Sequence, residues 1–80
     1  MKTPRDWSGQ DLARRLERLG YVITRQTGSH VRCTTKRLGE HHLTIPNHAD
    51  LKVGTLHYIL AEVGRHFDMT TDDVLEILKP

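Results

Sequence analysis

The sequence predicts an α+β fold, a three-stranded antiparallel sheet with helices packed on one face, in the order helix, three strands, helix, helix. Three observations predict this arrangement. Near the N-terminus, leucines recur at helical spacing, at Leu12, Leu16 and Leu19. Three short alternating stretches follow, separated by glycine-containing turns, which is typical of antiparallel hairpins. A second apolar stripe at helical spacing comes after them and comprises Leu56, Ile59, Leu60 and Val63.

The first helix is predicted over about residues 9–19. Ser8 and Asp11 have the spacing of an N-terminal capping pair, and Gly20 offers a left-handed residue that ends the helix. Trp7 precedes the cap, and we expect it to pack against the helix rather than to stack on a base. The outer surface of this helix is expected to carry Arg14, Arg15 and Arg18.

The middle of the chain is predicted to form three strands, over residues 21–26, 30–35 and 41–45. Thr27-Gly28-Ser29 supplies the first turn, residues 36–40 supply the second, and Pro46 ends the third strand. Alternation directs four side chains toward the helices: Val31, Cys33, Leu43 and Ile45. It leaves a polar outer face that carries His30, Arg32, Thr34, His42 and Thr44. A sheet covered on one side only can leave such a face free for binding.

Two helices complete the predicted fold. The second helix follows a loop over residues 47–53, and we expect it to end at Gly64. Residues 70–73 then cap a short C-terminal helix, where Asp72 and Asp73 lie near the positive end of the helix dipole.

Length and composition restrict the class of protein. The 80 residues, 36% of them apolar, are enough for one small core, so we expect a single domain over residues 1–80. The one cysteine, Cys33, excludes an internal disulfide and zinc sites built on cysteine pairs, which fits a reducing cytoplasm. The N-terminus does not resemble a signal peptide, and no apolar run approaches the roughly 18 residues of a membrane span. We therefore expect a cytoplasmic protein with no membrane partner.

Charge is distributed unevenly along the chain. Residues 1–37 hold nine Lys or Arg against three Asp or Glu, whereas residues 38–80 hold three against seven. The basic half includes Lys2, Arg5, Arg25, Lys36 and Arg37 besides the arginines already named. This asymmetry indicates a basic surface for a polyanion such as RNA, although an ordinary solvated surface with uneven charge would have the same composition.

Four sequence blocks together resemble the HicA family of toxin ribonucleases. They are Gly20-Tyr21-Val22, the run from Arg25 through Gly28-Ser29-His30 to Val31, Thr44-Ile45-Pro46-Asn47-His48, and Lys52-Val53-Gly54-Thr55-Leu56 with Ile59-Leu60. The resemblance extends from Ser8 to about Leu78. It implies a fold similar to the double-stranded RNA-binding domain and the toxin role in a type II toxin–antitoxin system. The implied activity is cleavage of messenger RNA, which inhibits translation, and the implied partner is a HicB antitoxin. The family's motif histidine corresponds to His30.

The chemistry of His30 agrees with that resemblance. A free imidazole titrates at about pH 6.5, so it can take a proton from a ribose 2′-hydroxyl or give one to a departing 5′-oxygen. The second proton can move through solvent, through His48 or through a phosphate oxygen, and these alternatives stay open. Gly28 and Ser29 would let the RNA backbone approach closely. Without the resemblance, an exposed histidine beside a hairpin turn would be the simpler interpretation.

Further RNA contacts are predicted at Arg32 and at the start of the second helix. Unpaired amides and the dipole at Gly54 and Thr55 favour a phosphate, and Lys52 adds charge. An ordinary helix cap preceded by a solvated lysine is the alternative. We expect no cofactor and no metal, because adjacent strand residues such as His41 and His42 point to opposite faces of the sheet. Cys33 is expected to be a core residue rather than a nucleophile.

The sequence is compatible with two functions, a metal-independent endoribonuclease that uses His30 and a non-catalytic RNA-binding or partner-binding module of the same fold. His30 favours the enzyme, because docking on phosphates requires Arg and Lys but no titrating group at the turn.

Overall fold

A computed structural model describes residue 4 and residues 6–80. Helix α1 spans Gly9–Arg15 and continues as a 3₁₀ turn over Leu16–Leu19. Strands β1 (Val22–Gln26), β2 (His30–Thr35) and β3 (His41–Pro46) follow, and then helices α2 (Val53–Phe67) and α3 (Thr71–Leu78). The predicted element order is confirmed. Two members of the predicted basic half, Lys2 and Arg5, lie outside the described residues.

The three strands form one antiparallel sheet in the order β1-β2-β3. Helices cover one of its faces, so the fold belongs to the predicted α+β class. The side chains of Val31, Cys33, Leu43 and Ile45 are buried toward these helices, as alternation predicts. All five residues of β1 are exposed, because this edge strand packs mainly on β2 and makes few contacts with the helices.

Helix α1 begins with the predicted capping box. The Ser8 hydroxyl accepts a hydrogen bond from the Asp11 amide at 2.9 Å, and the Asp11 carboxylate accepts one from the Ser8 amide at 3.0 Å. These bonds lower the pKa of Asp11, the backbone amide of Ser8 having the largest effect. Gly20 ends the 3₁₀ turn with a φ of 86°, which confirms the predicted left-handed stop. Trp7 is buried, as expected, and the Arg15 guanidinium lies 4.4 Å from its ring centroid.

The prediction that α2 ends at Gly64 is wrong. The helix continues to Phe67 and ends at Asp68, which adopts a left-handed φ of 57° and donates its amide hydrogen to the Gly64 carbonyl. Gly64 has a different purpose, because a Cβ there would collide with the carbonyl oxygen of Met69. The glycine therefore allows the chain leaving α2 to fold back closely over the helix, and the Met69 amide also bonds to the Gly64 carbonyl at 2.8 Å.

Helix α3 completes the core. Thr70 and Asp73 form a second capping box, and Val74, Leu75 and Leu78 are buried against the remaining core residues. The end of α3 is held by Arg15 and Arg18, two of the arginines predicted on the outer surface of the first helix. Arg15 donates to the Leu78 carbonyl at 3.0 Å, and Arg18 donates to the carbonyls of Ile77 and Lys79. These guanidiniums satisfy carbonyls that a helix end leaves unpaired.

Within residue 4 and residues 6–80, no helix combines the length and apolar character needed to cross a membrane.

Candidate functional site

The outer face of the sheet is the surface on which the sequence predicts the functional residues. Its exposed side chains come from all three strands: Arg25 on β1, His30 and Arg32 on β2, and His42 and Thr44 on β3. Thr34 lies on the same face but is buried, because Thr24 and His42 contact its hydroxyl at 3.3 and 2.8 Å. The structure therefore brings His30, Arg32 and Thr34 onto one surface, as alternation predicts.

His30 is the first residue of β2, and it follows the three-residue turn that joins β1 to β2. Its ring Nδ1 lies 3.0 Å from the Ser29 hydroxyl, and no described residue forms a hydrogen bond with its Nε2. The backbone amide and the backbone carbonyl of His30 both form hydrogen bonds with Thr27. Its amide donates to the Thr27 hydroxyl at 3.1 Å, and its carbonyl accepts from the Thr27 amide at 2.9 Å. A rigid backbone thus holds an imidazole whose outer nitrogen faces solvent.

Asn47 ties this turn to the rest of the molecule. Its amide donates to the Ser29 carbonyl at 2.9 Å, and its side-chain nitrogen lies 3.4 Å from the Gly28 carbonyl. Its side-chain oxygen accepts a hydrogen bond of 3.1 Å from Gln10 on α1. The turn before His30 is therefore held against α1 through one side chain. Asn47 lies in one of the blocks that carry the family resemblance, but the hydrogen bonds that make it a support for His30 go to Ser29 and Gly28, 18 and 19 residues earlier in the sequence.

A second histidine of the outer face, His42, lies between two oxygen groups. Its Nδ1 is 2.8 Å from the Thr34 hydroxyl, and its Nε2 is 2.9 Å from the Glu40 carboxylate. The strand register sets His42 opposite Thr34, four residues along β2 from His30, which corresponds to about 13 Å. Because both ring nitrogens are engaged, His42 is less available for proton transfer than His30.

The other predicted contacts lie beyond the end of β3. Lys52 is the N-cap residue of α2, and it makes no side-chain capping bond, so among residue 4 and residues 6–80 no side chain pairs with the first amides of the helix. Lys52 and Gly54 are exposed, and a Cβ at Gly54 would meet open space. No described hydrogen bond joins Lys52, Gly54 or Thr55 to the turn before His30. His48 is exposed, and its carbonyl accepts a bond from the Gly9 amide at 3.0 Å.

The remaining candidates lie on the helix side of the sheet. Cys33 is buried, and burial raises the pKa of its thiol to about 11, so it is a protonated core residue as predicted. His41 faces the helices and His42 the outer surface, as alternation requires. The Nδ1 of His41 lies 2.7 Å from the Tyr21 hydroxyl, and the His41 ring stacks on His66 at a centroid distance of 4.5 Å. In the part of the chain that the structure describes, no three His, Cys, Asp or Glu side chains are grouped as metal ligands would be.

Comparison with known protein families identifies the chain. A family model described as HicA toxin of bacterial toxin–antitoxin matches residues 9–64, more than two thirds of the sequence. The chain belongs to the HicA toxin family. All residues predicted to act on RNA lie inside the matched region, whereas α3 of this HicA chain lies outside it. No curated protein and no solved structure matches the chain.

Proposed function

We propose that this chain is a toxin that cleaves messenger RNA and thereby inhibits translation, with His30 transferring a proton in the reaction. Membership of the HicA toxin family supports the toxin role. The observation that carries the enzymatic part is the position of His30, an exposed imidazole whose Nε2 bonds to none of the described residues and whose backbone is fixed by Thr27. General acid–base catalysis requires such a titrating group within reach of the substrate.

The proposed chemistry uses the ribose 2′-hydroxyl as nucleophile, so the reaction needs no metal. The 2′-oxygen forms a bond to the adjacent phosphorus while the bond from phosphorus to the 5′-oxygen breaks. A base removes the proton of the 2′-hydroxyl, and an acid gives a proton to the departing 5′-oxygen. His30 supplies one of these transfers. Solvent, His48 or a phosphate oxygen supplies the other.

The remaining predicted residues bind the RNA backbone in this proposal. Gly28 and Ser29 form an exposed turn, and a Cβ at Gly28 would meet no atom, so a phosphate can approach the backbone there. Lys52, Gly54 and Thr55 offer a charge and free amides at the start of α2. Lys52→Ala would then lower the salt slope of RNA binding by roughly 0.7 to 0.9, the value for one phosphate contact.

The toxin family implies an antitoxin partner, and we propose that a HicB-type antitoxin covers the outer face and buries His30. Arg25 and Arg32 are the arginines of that face and would attract an acidic partner, so association should slow as salt rises. Hydrogen-exchange protection of β2 in the complex tests this proposal. If the residues around His30 stay unprotected in a complex that no longer cleaves RNA, the antitoxin acts elsewhere.

Expression in cells tests the function as a whole. Induction of the wild-type chain should stop growth and fragment messenger RNA, and His30→Ala, produced at the same level, should do neither. Growth arrest with intact messenger RNA by both proteins would support the binding-module alternative instead.

A further inference from the structure

Two arginines lie directly opposite each other on the outer face, Arg25 on β1 and Arg32 on β2. Residues paired in this way have Cβ atoms about 5 Å apart, and like charges at that spacing destabilise a sheet. No described residue forms an ion pair with either guanidinium. The fold therefore keeps two positive charges side by side on an exposed surface without neutralising them.

A β-bulge produces this pairing. The register of β1 against β2 shifts between Ile23 and Arg25, so Thr24 is an extra residue with no partner. In a regular ladder without the bulge, Thr24 would pair with Arg32, and Arg25 would lie opposite Val31 on the side of the helices. The Thr24 hydroxyl donates to the Arg32 carbonyl at 3.3 Å, which stabilises the bulge. Bulges re-aim side chains, and this one moves a guanidinium onto the outer face.

We propose that Arg25 and Arg32 form a clamp that binds one phosphate of the RNA strand, the phosphate next to the one at His30. The proposal rests on the RNA-cleaving function given above. Arg32 lies two residues from His30 on the same face, about 6.6 Å along the strand, which is comparable to the separation of successive phosphates in a nucleic acid backbone. An RNA strand that follows β2 therefore brings one phosphate to the imidazole and the next one between the two guanidiniums.

The chemistry of the pair suits a phosphodiester. Guanidinium groups donate paired hydrogen bonds to phosphate oxygens, and a shared anion removes the repulsion between the two arginines. An acidic protein segment could neutralise the same charges. RNA is favoured because the clamp lies on the same strand as His30, where the substrate backbone must pass for the proposed reaction.

Binding of an RNA oligonucleotide with 2′-O-methyl riboses tests the clamp without requiring cleavage, since this RNA lacks the attacking hydroxyl. Arg25→Gln and Arg32→Gln should each weaken binding about tenfold. The double variant should lose less than the product of the two single losses, and its salt slope should fall by about 0.7, the value for one phosphate of a single strand. Lys36→Gln, which removes an exposed charge from the turn between β2 and β3, is the matched control and should leave both quantities nearly unchanged.

A charge reversal separates binding from a structural role. Arg25→Glu should form a cross-strand ion pair with Arg32 and raise the melting temperature at low salt, yet weaken RNA binding more than Arg25→Gln. A purely structural arginine would lower the melting temperature when replaced.

Unchanged RNA affinity and salt slope in the double variant would show the clamp to be wrong, and so would an equal loss in Lys36→Gln. If the double variant instead loses only antitoxin binding, the pair belongs to a protein interface and the proposal fails. Cleavage that still depends on His30 would, in either case, leave the proposed function intact.

Discussion

At the scale of single residues, Gly9 determines how closely α1 approaches the end of β3. Its amide bonds to the His48 carbonyl at 3.0 Å, and a Cβ at this position would collide with the Pro46 carbonyl oxygen. Gly9→Ala must therefore move α1 away from the end of β3, where Pro46 pairs with His30. We expect the free energy of unfolding to fall by about 1–3 kcal/mol, the usual cost of overpacking, in urea denaturation.

Gly28→Ala is the matched control for that change, because a Cβ there would meet no atom within contact distance. Its unfolding free energy should stay within about 0.5 kcal/mol of the wild type. Equal losses at Gly9 and Gly28 would contradict the steric explanation.

Alternation along β2 was enough to predict the exposed position of His30 and Arg32, because the pattern of Val31 and Cys33 fixes the buried face. It could not predict the position of Arg25. The bulge at Thr24 changes the face of every later residue in β1, and no residue type in that strand marks a bulge.

At the scale of elements, α3 depends on its cap and on its buried face. The Thr70 hydroxyl accepts a hydrogen bond of 3.1 Å from the Asp73 amide, and Leu78 is fully buried. We expect Thr70→Ala to cost about 1 kcal/mol of unfolding free energy and Leu78→Ala about 2–5 kcal/mol. Thr71→Ala, one residue inside the helix, removes a hydroxyl that caps nothing and should cost much less. A loss at Thr71 as large as at Thr70 would contradict the capping assignment.

Element ends were harder to predict than element types. The capping boxes at Ser8 and Thr70 are local patterns, so both were visible in the sequence. The end of α2 depends on Asp68, which adopts the left-handed conformation far less readily than a glycine does, so the sequence pointed to Gly64 instead. The bonds from Arg15 and Arg18 to the end of α3 join segments about 60 residues apart, which no local pattern reveals.

At the scale of the whole molecule, the stacked histidines make stability depend on pH. Burial lowers the pKa of His41, and the neighbouring His66 lowers it further, whereas Glu62 acts in the opposite direction. The unfolded chain therefore binds a proton more readily than the folded one. The stabilising contribution is complete above the unfolded pKa of about 6.5 and declines as the pH falls below it.

We expect the unfolding free energy to decrease between pH 7.5 and 5. His41→Gln, which keeps an acceptor for the Tyr21 hydroxyl but cannot titrate, should reduce this dependence. His57→Gln, at an exposed histidine of α2, should leave it unchanged. Urea denaturation across the pH range measures the slopes, and an equal slope in wild type and His41→Gln would refute the assignment.

The most direct test of the proposed function is the single-turnover rate at which purified protein cleaves RNA, with folding checked by circular dichroism. His30 is exposed and contributes no core packing, so His30→Ala should fold like the wild type. Its cleavage rate should fall by at least about a hundredfold, the smallest usual contribution of a general acid or base. His48→Ala, measured beside it, shows whether the second proton passes through that residue. A folded His30→Ala protein that cleaves within a few-fold of the wild-type rate would contradict the account.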